Sequence, residues 1–176
     1  IQVPRFSTEA PEFAEAEKAI NEKIDHLMKI QGKRSVDSIH RELGLVMWDF
    51  VGMGRTAEGL KKGLERIQEI RKVFWSDVFI PGSKNDFNVE LEKALRLADF
   101  IEIGELMARD ALNREESCGG HFREEYQTPE GEALRQDDKF SYVSCWEFQG
   151  EGKEPKMYKE PLDYEFVVRQ TRNYKA

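Results

Sequence analysis

Cysteine is scarce in this sequence, which contains only Cys118 and Cys145 among its 176 residues. Two thiols are too few for a disulfide framework, and free thiols in an ordinary domain favour a reducing compartment. No apolar run approaches the roughly 18 residues needed to cross a bilayer, and no secretory signal stands at the start. These absences predict a soluble intracellular domain.

A basic patch is also lacking. The chain carries 34 acidic against 27 basic side chains, for a formal charge of −7. A surface of that sign repels phosphate backbones, so we expect no nucleic-acid partner. Apolar residues make up 39% of the chain and charged residues 35%, which is the mix of a globular domain with a highly charged surface.

The common catalytic and cofactor motifs are missing as well. The sequence has no GxGxxG, no phosphate loop, no GxSxG and no HExxH. Cys118 and His121 lie three positions apart, and Cys145 is a candidate third zinc ligand. Structural zinc takes four ligands, however, and the chain has no CxxC pair, so we expect no metal.

Helical periodicity is the strongest positive signal. Apolar residues recur at three- and four-residue steps in four segments joined by short loops, which predicts an antiparallel bundle of three or four helices. The fourth helix is predicted to run to about Ser117. The predicted N-caps of the four helices are Ser7 or Thr8, Ser35, Thr56 and Asn88.

The first helix carries an apolar stripe at three- and four-residue steps, which is typical of an amphipathic helix. We expect Gly32 to end this helix. The stripe consists of Phe13, Ala16, Ile20, Ile24 and Leu27.

From residue 140 onwards the pattern changes to a period of two, which is typical of strands. Two such runs predict a long-looped β-hairpin with one aromatic face: Phe140, Tyr142, Trp146 and Phe148, then Tyr164, Phe166 and Val168. The chain is therefore predicted to be mainly α with a small C-terminal hairpin. The expected parts are a helical bundle (1–117), a polar motif and loop (118–139), and a hairpin and tail (140–176).

The densest polar stretch, REESCGGHFR, runs from Arg114 to Arg123. Its glycines allow a tight turn and the close approach of another backbone. Its arginines offer planar donors to carboxylates, and its histidine titrates near neutral pH. A charged helix end followed by two glycines is also an ordinary helix C-terminus, and composition alone favours that simpler interpretation.

This stretch resembles the R-x-E-S-R-G-x-H-x-R signature of the flavoprotein subunits of succinate dehydrogenase and fumarate reductase, a family that includes L-aspartate oxidase. Residues 38–60 look like the helical region of the same family, and residues 167–174 look like its C-terminus. The resemblance covers essentially the whole chain. Two positions depart from the pattern, with Cys118 replacing the usual arginine and Gly120 replacing a common alanine. The residues in register are Arg114, Glu116, Ser117, Gly119, His121 and Arg123.

The resemblance implies a helical C-terminal domain from which the flavin machinery is missing. In this family an FAD-binding domain and a capping domain precede the helices and carry the covalent flavin and the residues that bind the dicarboxylate. We therefore expect no catalytic residue and no cofactor here, with FAD bound by the missing upstream domain. The parent protein is expected to interconvert succinate and fumarate and to pass electrons to an iron–sulfur subunit. The start at Ile1, without Met, agrees with a fragment.

The resemblance also implies partners and a location. The partners are the chain's own upstream FAD and capping domains, the iron–sulfur subunit and, indirectly, a membrane anchor subunit. The location is cytoplasmic, at the inner face of the cell membrane. Charges this dense need partners if another domain covers them, so the six motif residues in register are predicted to form a docking network against the flavin domain. The alternative is a free-standing helical interaction module with no enzyme context.

Overall fold

A computed structural model of the chain describes residues 7–150 and 152–170. This part of the chain is mainly α, a helical bundle with a small antiparallel strand pair near the C-terminus, which confirms the predicted fold class. Its helices are α1 (Pro11–Ile30), α2 (Val36–Val51), α3 (Ala57–Asp77), α4 (Val89–Asn113) and the short α5 (Asp137–Phe140). Its strands are β1 (Arg34–Ser35), β2 (Gly54–Arg55), β3 (Val78–Phe79), β4 (Phe122–Arg123), β5 (Tyr142–Glu147) and β6 (Lys156–Pro161).

Three of the predicted N-caps are confirmed. In each case the cap side chain accepts a hydrogen bond from the backbone N–H three residues later, which satisfies one of the free donors of the first helical turn. The acceptors are Ser35 Oγ at 3.2 Å from the amide of Ser38, Thr56 Oγ1 at 3.0 Å from that of Gly59, and Asn88 Oδ1 at 3.0 Å from that of Leu91.

The predictions for the first helix are partly wrong. It begins at Pro11 without a side-chain cap, rather than after Ser7 or Thr8, because the ring of a proline at the first helical position already fixes the backbone in a helical conformation. The apolar stripe is buried only towards its C-terminal end. Phe13 and Ile20 are 56% and 55% exposed, whereas Leu27 is 1% exposed.

Gly32 does not itself end the first helix, which stops at Ile30 with Gln31 in the left-handed conformation (φ 46°). The glycine is required for a different reason. A Cβ at position 32 would lie 2.0 Å from the backbone oxygen of Asp77. The N–H of Gly32 also donates to the carbonyl of Val78 at 3.0 Å, next to the parallel pairing of β1 with β3. The glycine therefore permits two backbones to approach closely.

The chain divides into two compact units. The first comprises Ile1–Leu45 and Arg66–Gly104, and the second comprises Val46–Glu65 and Glu105–Ala176. The first unit contains the parallel β1–β3 pair and an apolar core. Its buried side chains include Leu27, Val36, Ile39, Leu43, Ile67, Ile70, Phe74, Val78, Ile80, Leu97 and Ile101.

The second unit buries fewer large apolar side chains and more polar ones. Strand β2 pairs in parallel with β4, and β5 pairs antiparallel with β6. Its buried apolar residues include Val46, Val51, Leu60, Ala108, Ala111 and Tyr142, and its buried polar residues are Glu105, Glu116, Ser117 and Arg123.

The hairpin exists, but its second strand was misplaced by the sequence prediction. β5 pairs with β6 (Lys156–Pro161), and residues 164–168 form no strand. A shorter loop closes the hairpin at a lower entropic cost, which favours the nearer segment. The aromatic face is also incomplete, because Tyr142 is buried while Phe148 is 73% exposed. Within the described residues, none of the helices combines the length and apolarity needed to span a membrane.

Candidate functional site

The polar stretch folds back onto the end of α4, in the second unit. The Arg123 side chain is 2% exposed, and its Nη1 donates to the carbonyl oxygens of Ala111 at 3.0 Å and Leu112 at 3.2 Å. Carbonyls in the last turn of a helix lack intrahelical partners, and a cation there is favoured by the helix dipole. Arg123 therefore caps α4, which ends at Asn113 rather than near Ser117.

Two residues further on, Glu125 continues this arrangement to α3. Its Oε2 accepts from Nε of Arg123 at 3.2 Å, and its Oε1 accepts from the backbone N–H of Ala57. Burial raises the pKa of Glu125, but the hydrogen bonds from Ala57 and Arg123 outweigh it and hold the pKa below 4.5. A carboxylate is thus fixed at the N-terminus of α3, and one ion pair joins the end of α4 to the start of α3.

A tight turn lies between the capping residues and α4. Ser117 is fully buried, and its Oγ accepts from the N–H of Arg123 at 2.8 Å and donates to the carbonyl of the same residue at 3.0 Å. Cys118 and His121 exchange backbone hydrogen bonds of 2.8 and 3.1 Å. Gly119 has a φ of +59°, a conformation that disfavours other residues and marks the first central position of such turns.

The ring of His121 is held at both nitrogens. Nδ1 lies 2.7 Å from Nη1 of Arg55, and Nε2 lies 2.8 Å from the backbone oxygen of Arg114. A guanidinium only donates, so Nδ1 is the acceptor and Nε2 carries the proton that is donated to the carbonyl. Burial lowers the pKa of His121 below 6.5, and the charges of Arg55, Arg123 and Arg114 lower it further, against the hydrogen bond to the Arg114 carbonyl. Both the contact with the Arg55 guanidinium and the lowered pKa favour the neutral imidazole.

Arg55 reaches the motif from β2 and closes the end of α2. Its Nε donates to the carbonyls of Val51 at 3.2 Å and Gly52 at 2.6 Å. Burial and the neighbouring Arg123 lower the pKa of Arg55, while Asp110 acts in the opposite direction. Strands β2 and β4 pair in parallel, and their register places the backbone of Arg55 opposite that of Arg123. The side chains of Arg55, Arg123 and Glu125 thus bind three helix termini, namely the C-termini of α2 and α4 and the N-terminus of α3.

Arg114 and Glu116 connect the motif to the segment that follows. Nη1 of Arg114 donates to Glu116 Oε1 at 2.9 Å and to the Phe140 carbonyl at 3.0 Å, and Nη2 donates to the Tyr142 carbonyl at 3.0 Å. The other carboxylate oxygen of Glu116 accepts from the N–H of Gln136 at 2.8 Å. Glu116 is 3% exposed at its side chain, and a charge buried this deeply is stable only with such partners.

The predicted motif residues are therefore brought together, and each has a clear structural role within this unit. Glu116, Ser117 and Arg123 are buried, whereas Gly119 and its neighbours Cys118 and Gly120 are exposed. Arg55 was not predicted as a site residue, because its pairing partner is distant in sequence, and local patterns in the chain do not indicate it. Glu125 was not predicted either, because a carboxylate that caps a different helix leaves no local signal.

The described residues contain no set of ligands for the zinc ion considered at Cys118, His121 and Cys145. Among them, no group of three or more His, Cys, Asp or Glu side chains is placed to hold a metal ion. Cys118 and Cys145 are both exposed, and both ring nitrogens of His121 have partners.

Comparison with known families decides the affiliation. The family model described as fumarate reductase flavoprotein C-term matches residues 40–174. The chain belongs to this family. The family consists of the C-terminal domains of succinate dehydrogenase and fumarate reductase flavoproteins, which are oxidoreductases. This chain corresponds to that C-terminal domain.

Curated relatives agree with this assignment. The chain is 32% identical over 104 residues to the fumarate reductase flavoprotein subunit of Serratia sp., an overlap of 59% of this chain and 17% of the relative. It is 30% identical over 112 residues to an uncharacterized FAD-dependent oxidoreductase of Methanocaldococcus jannaschii, covering 64% of this chain and 20% of the relative. The chain therefore spans about a fifth of the length of the relatives it matches.

Solved structures show the same fold. E. coli quinol fumarate reductase FrdA matches with a TM-score of 0.79 at 24% identity, over 95% of this chain and 27% of that one. Adenylylsulfate reductase from Archaeoglobus fulgidus matches with a TM-score of 0.68 at 15% identity, over 97% of this chain and 27% of that one. At these identities the likeness concerns the fold alone.

Proposed function

We propose that this chain serves as the C-terminal domain of the FAD-containing subunit of a succinate dehydrogenase or fumarate reductase. The parent protein interconverts succinate and fumarate and passes electrons to an iron–sulfur subunit. The observation that carries this proposal is the family match over residues 40–174. The motif from Arg114 to Arg123, folded as one connected unit, supports it.

The residues described here do not fit a flavin. Dinucleotide cofactors place their pyrophosphate at a free helix N-terminus behind a glycine-rich turn. In this chain the N-termini of α2, α3 and α4 are capped by Ser35, Thr56 and Asn88. Helix α1 begins at Pro11 without a side-chain cap, but residues 1–10 contain no glycine. A hollow in the second unit is lined by Arg135, Tyr164 and residues 166–170, but Phe166 and Val168 there are 87% and 84% exposed. FAD is therefore assigned to the upstream part of the parent.

The role that remains for this chain is support and docking rather than catalysis. The docking network consists of Arg114, Glu116, Ser117, Gly119, His121 and Arg123. The burial and mutual pairing of these side chains favour this role, because they hold the exposed Cys118–Gly120 backbone in one rigid position. The partners are the upstream FAD and capping domains, the iron–sulfur subunit and, through it, a membrane anchor. The parent then lies at the inner face of the cell membrane.

The proposal is tested by expressing this chain alone and together with the coding sequence that precedes it in its gene. We expect the longer protein to show flavin absorbance near 450 nm, on the order of one flavin per chain, and to interconvert succinate and fumarate. This chain alone is expected to show neither. A longer protein that binds no flavin, or a preceding sequence without a glycine-rich strand–turn–helix, would refute the proposal.

A further inference from the structure

Arg55 carries a charge that lacks a direct counterion. Its guanidinium donates to two backbone carbonyls and to the neutral ring of His121, and in the described part of the chain no carboxylate forms an ion pair with it. Asp110 is close enough to raise the pKa of Arg55, but its Oδ1 accepts from Nε1 of Trp146 at 2.9 Å. Burial and Arg123 both oppose the charge of Arg55. A carboxylate on its open side would relieve this imbalance.

The turn beside Arg55 has a backbone that this unit leaves uncovered. A Cβ at Gly119 or Gly120 would meet nothing within 4 Å, and the φ of Gly120 lies outside the left-handed region. Nothing in the described residues therefore requires glycine at position 120. Over the described residues, the amide groups of Gly119 and Gly120 also have no hydrogen-bond partner. Glycine at such a place permits another backbone to approach closely.

Met53 completes the surface. Its carbonyl accepts from the N–H of Phe122 at 3.2 Å, which places it next to the motif, and the residue is 71% exposed. The exposed Met53 side chain thus accompanies two amide donors without acceptors and a guanidinium without a carboxylate partner. This is the composition of a protein interface, with an apolar centre and polar contacts. We call Met53, Arg55, Cys118, Gly119 and Gly120 the turn surface.

We propose that the turn surface is where the flavin-binding part of the parent docks, and that a carboxylate side chain of that part pairs with Arg55. This inference rests on the proposed function and adds the contact and its chemistry. Charge complementarity favours a carboxylate, because a planar guanidinium with open donors matches a carboxylate in two parallel hydrogen bonds. The occupant is the part of the parent outside this chain, which spans about a fifth of the length of its relatives. His121 acts as a positioning residue, since its neutral Nδ1 holds the guanidinium without neutralising it.

The first test traps the partner of position 55 chemically. In the full-length protein with Arg55→Lys, a carbodiimide activates the facing carboxylate, which then forms an amide with Lys Nζ, and the carbodiimide takes up the water as a urea. Mass spectrometry identifies the joined peptides. We expect an aspartate or glutamate from the sequence upstream of this chain. Arg41→Lys, at an exposed position of α2 in the first unit, is the matched control and should not give this product.

The second test needs no change at Arg55, and therefore remains decisive if the lysine variant does not fold. In the full-length protein we expect the amides of residues 119 and 120 to exchange hydrogen on the order of tenfold more slowly than free amides. Gly120→Val should abolish that protection while the amides of α4 stay protected, because a Cβ at position 120 has no atom within 4 Å among the described residues other than its chain neighbours. Gly44→Val is the control, since position 44 is likewise open.

The outcomes separate this inference from the proposed function. A full-length protein that binds flavin, but whose turn amides exchange as fast as free peptide, overturns the docking contact and leaves the proposed function intact. A cross-link from position 55 to another subunit or to a second copy of the protein also overturns it, as does the absence of any cross-link in a variant that folds and binds flavin. If the unmodified full-length protein instead binds no flavin and has no activity, the proposed function is refuted.

Discussion

The two units of this chain are stabilised in different ways. The first unit buries a continuous set of large apolar side chains, among them Phe74, Ile67 and Ile70. The second unit buries Glu116, Ser117 and Arg123 near the ends of its helices and has fewer large apolar residues inside. Apolar packing tolerates substitutions that conserve volume, whereas a buried polar network loses much of its stability when one member is removed. The motif therefore lies in the unit that is more sensitive to chemical change.

The largest expected effect is in the apolar unit. Phe74 is fully buried, so Phe74→Ala removes a large buried ring and leaves a cavity, and we expect a loss of about 3–5 kcal/mol. The loss in free energy of unfolding is measured by urea titration, with hydrogen exchange of the amides in the first unit as the probe. Phe74→Leu, which keeps most of the volume, should cost clearly less. Equal losses for the two variants would contradict an apolar core that depends on packing.

Glu116→Ala tests the polar unit. It leaves the Arg114 guanidinium and the amide of Gln136 without their buried acceptor, and we expect a loss of about 3 kcal/mol. In the full-length protein the same change should impair assembly or flavin retention, which absorbance near 450 nm reports. Glu115→Ala, at the exposed neighbouring position, is the control. Normal stability and flavin content in the Glu116 variant would count against the central role of this pair.

A smaller effect is expected where the hairpin meets α4. Nε1 of Trp146 donates to Oδ1 of Asp110 at 2.9 Å, and Trp146→Phe removes that donor while keeping an aromatic ring. We expect a loss of about 1.5 kcal/mol, the usual size for a hydrogen bond to a charged group. Trp75→Phe in the first unit is the matched control, because that indole has ring contacts with His26 and Phe74 and no hydrogen bond to any residue that the structure describes. Similar losses at both positions would show that ring volume, not the hydrogen bond, is responsible.

The smallest expected effect is a pH dependence of stability in the second unit, which contains His121. The pKa of His121 is lowered from 6.5 by burial, so between the folded and unfolded pKa values the unfolded chain binds more protons. The stability from the neutral ring is thus complete above about pH 6.5 and is lost as the pH falls through the lower folded value. Hydrogen exchange at pH 7 and pH 5 should show loosening of β4, which His121→Gln makes less dependent on pH. An unchanged pH profile in that variant would assign the loosening to another group.

The sequence was sufficient for features that depend on local chemistry. Ser35, Thr56 and Asn88 were found as N-caps because a cap bonds an amide three residues away, and the spacing is visible in the chain. The family signature from Arg114 to Arg123 was also recognisable from its order alone. The sequence was insufficient where partners are distant. The pairing of Arg55 with Arg123 brings together positions that share no periodicity, and so the role of Arg55 emerged only from the structure.

Errors in the secondary-structure prediction have similar causes. Tyr164, Phe166 and Val168 alternate as a strand would, but β5 pairs with the nearer segment Lys156–Pro161. The stripe on α1 places Phe13 and Ile20 on one face with Leu27, yet those two side chains are exposed over the described residues while Leu27 is buried. Periodicity states which side chains share a face, and it does not state whether anything covers that face.

The discontinuity of the second unit has a consequence for how the protein is made. A ribosome delivers Val46–Glu65 early, but its partners in the same unit, Glu105–Ala176, only after the whole of Arg66–Gly104. Every segment of the first unit has therefore been synthesised before the polar network has its second half. During this interval Arg55 has neither His121 nor Arg123 beside it, and the amide of Ala57 still lacks the Glu125 carboxylate. The sequence order thus makes the unit that contains the motif the last to become complete during translation.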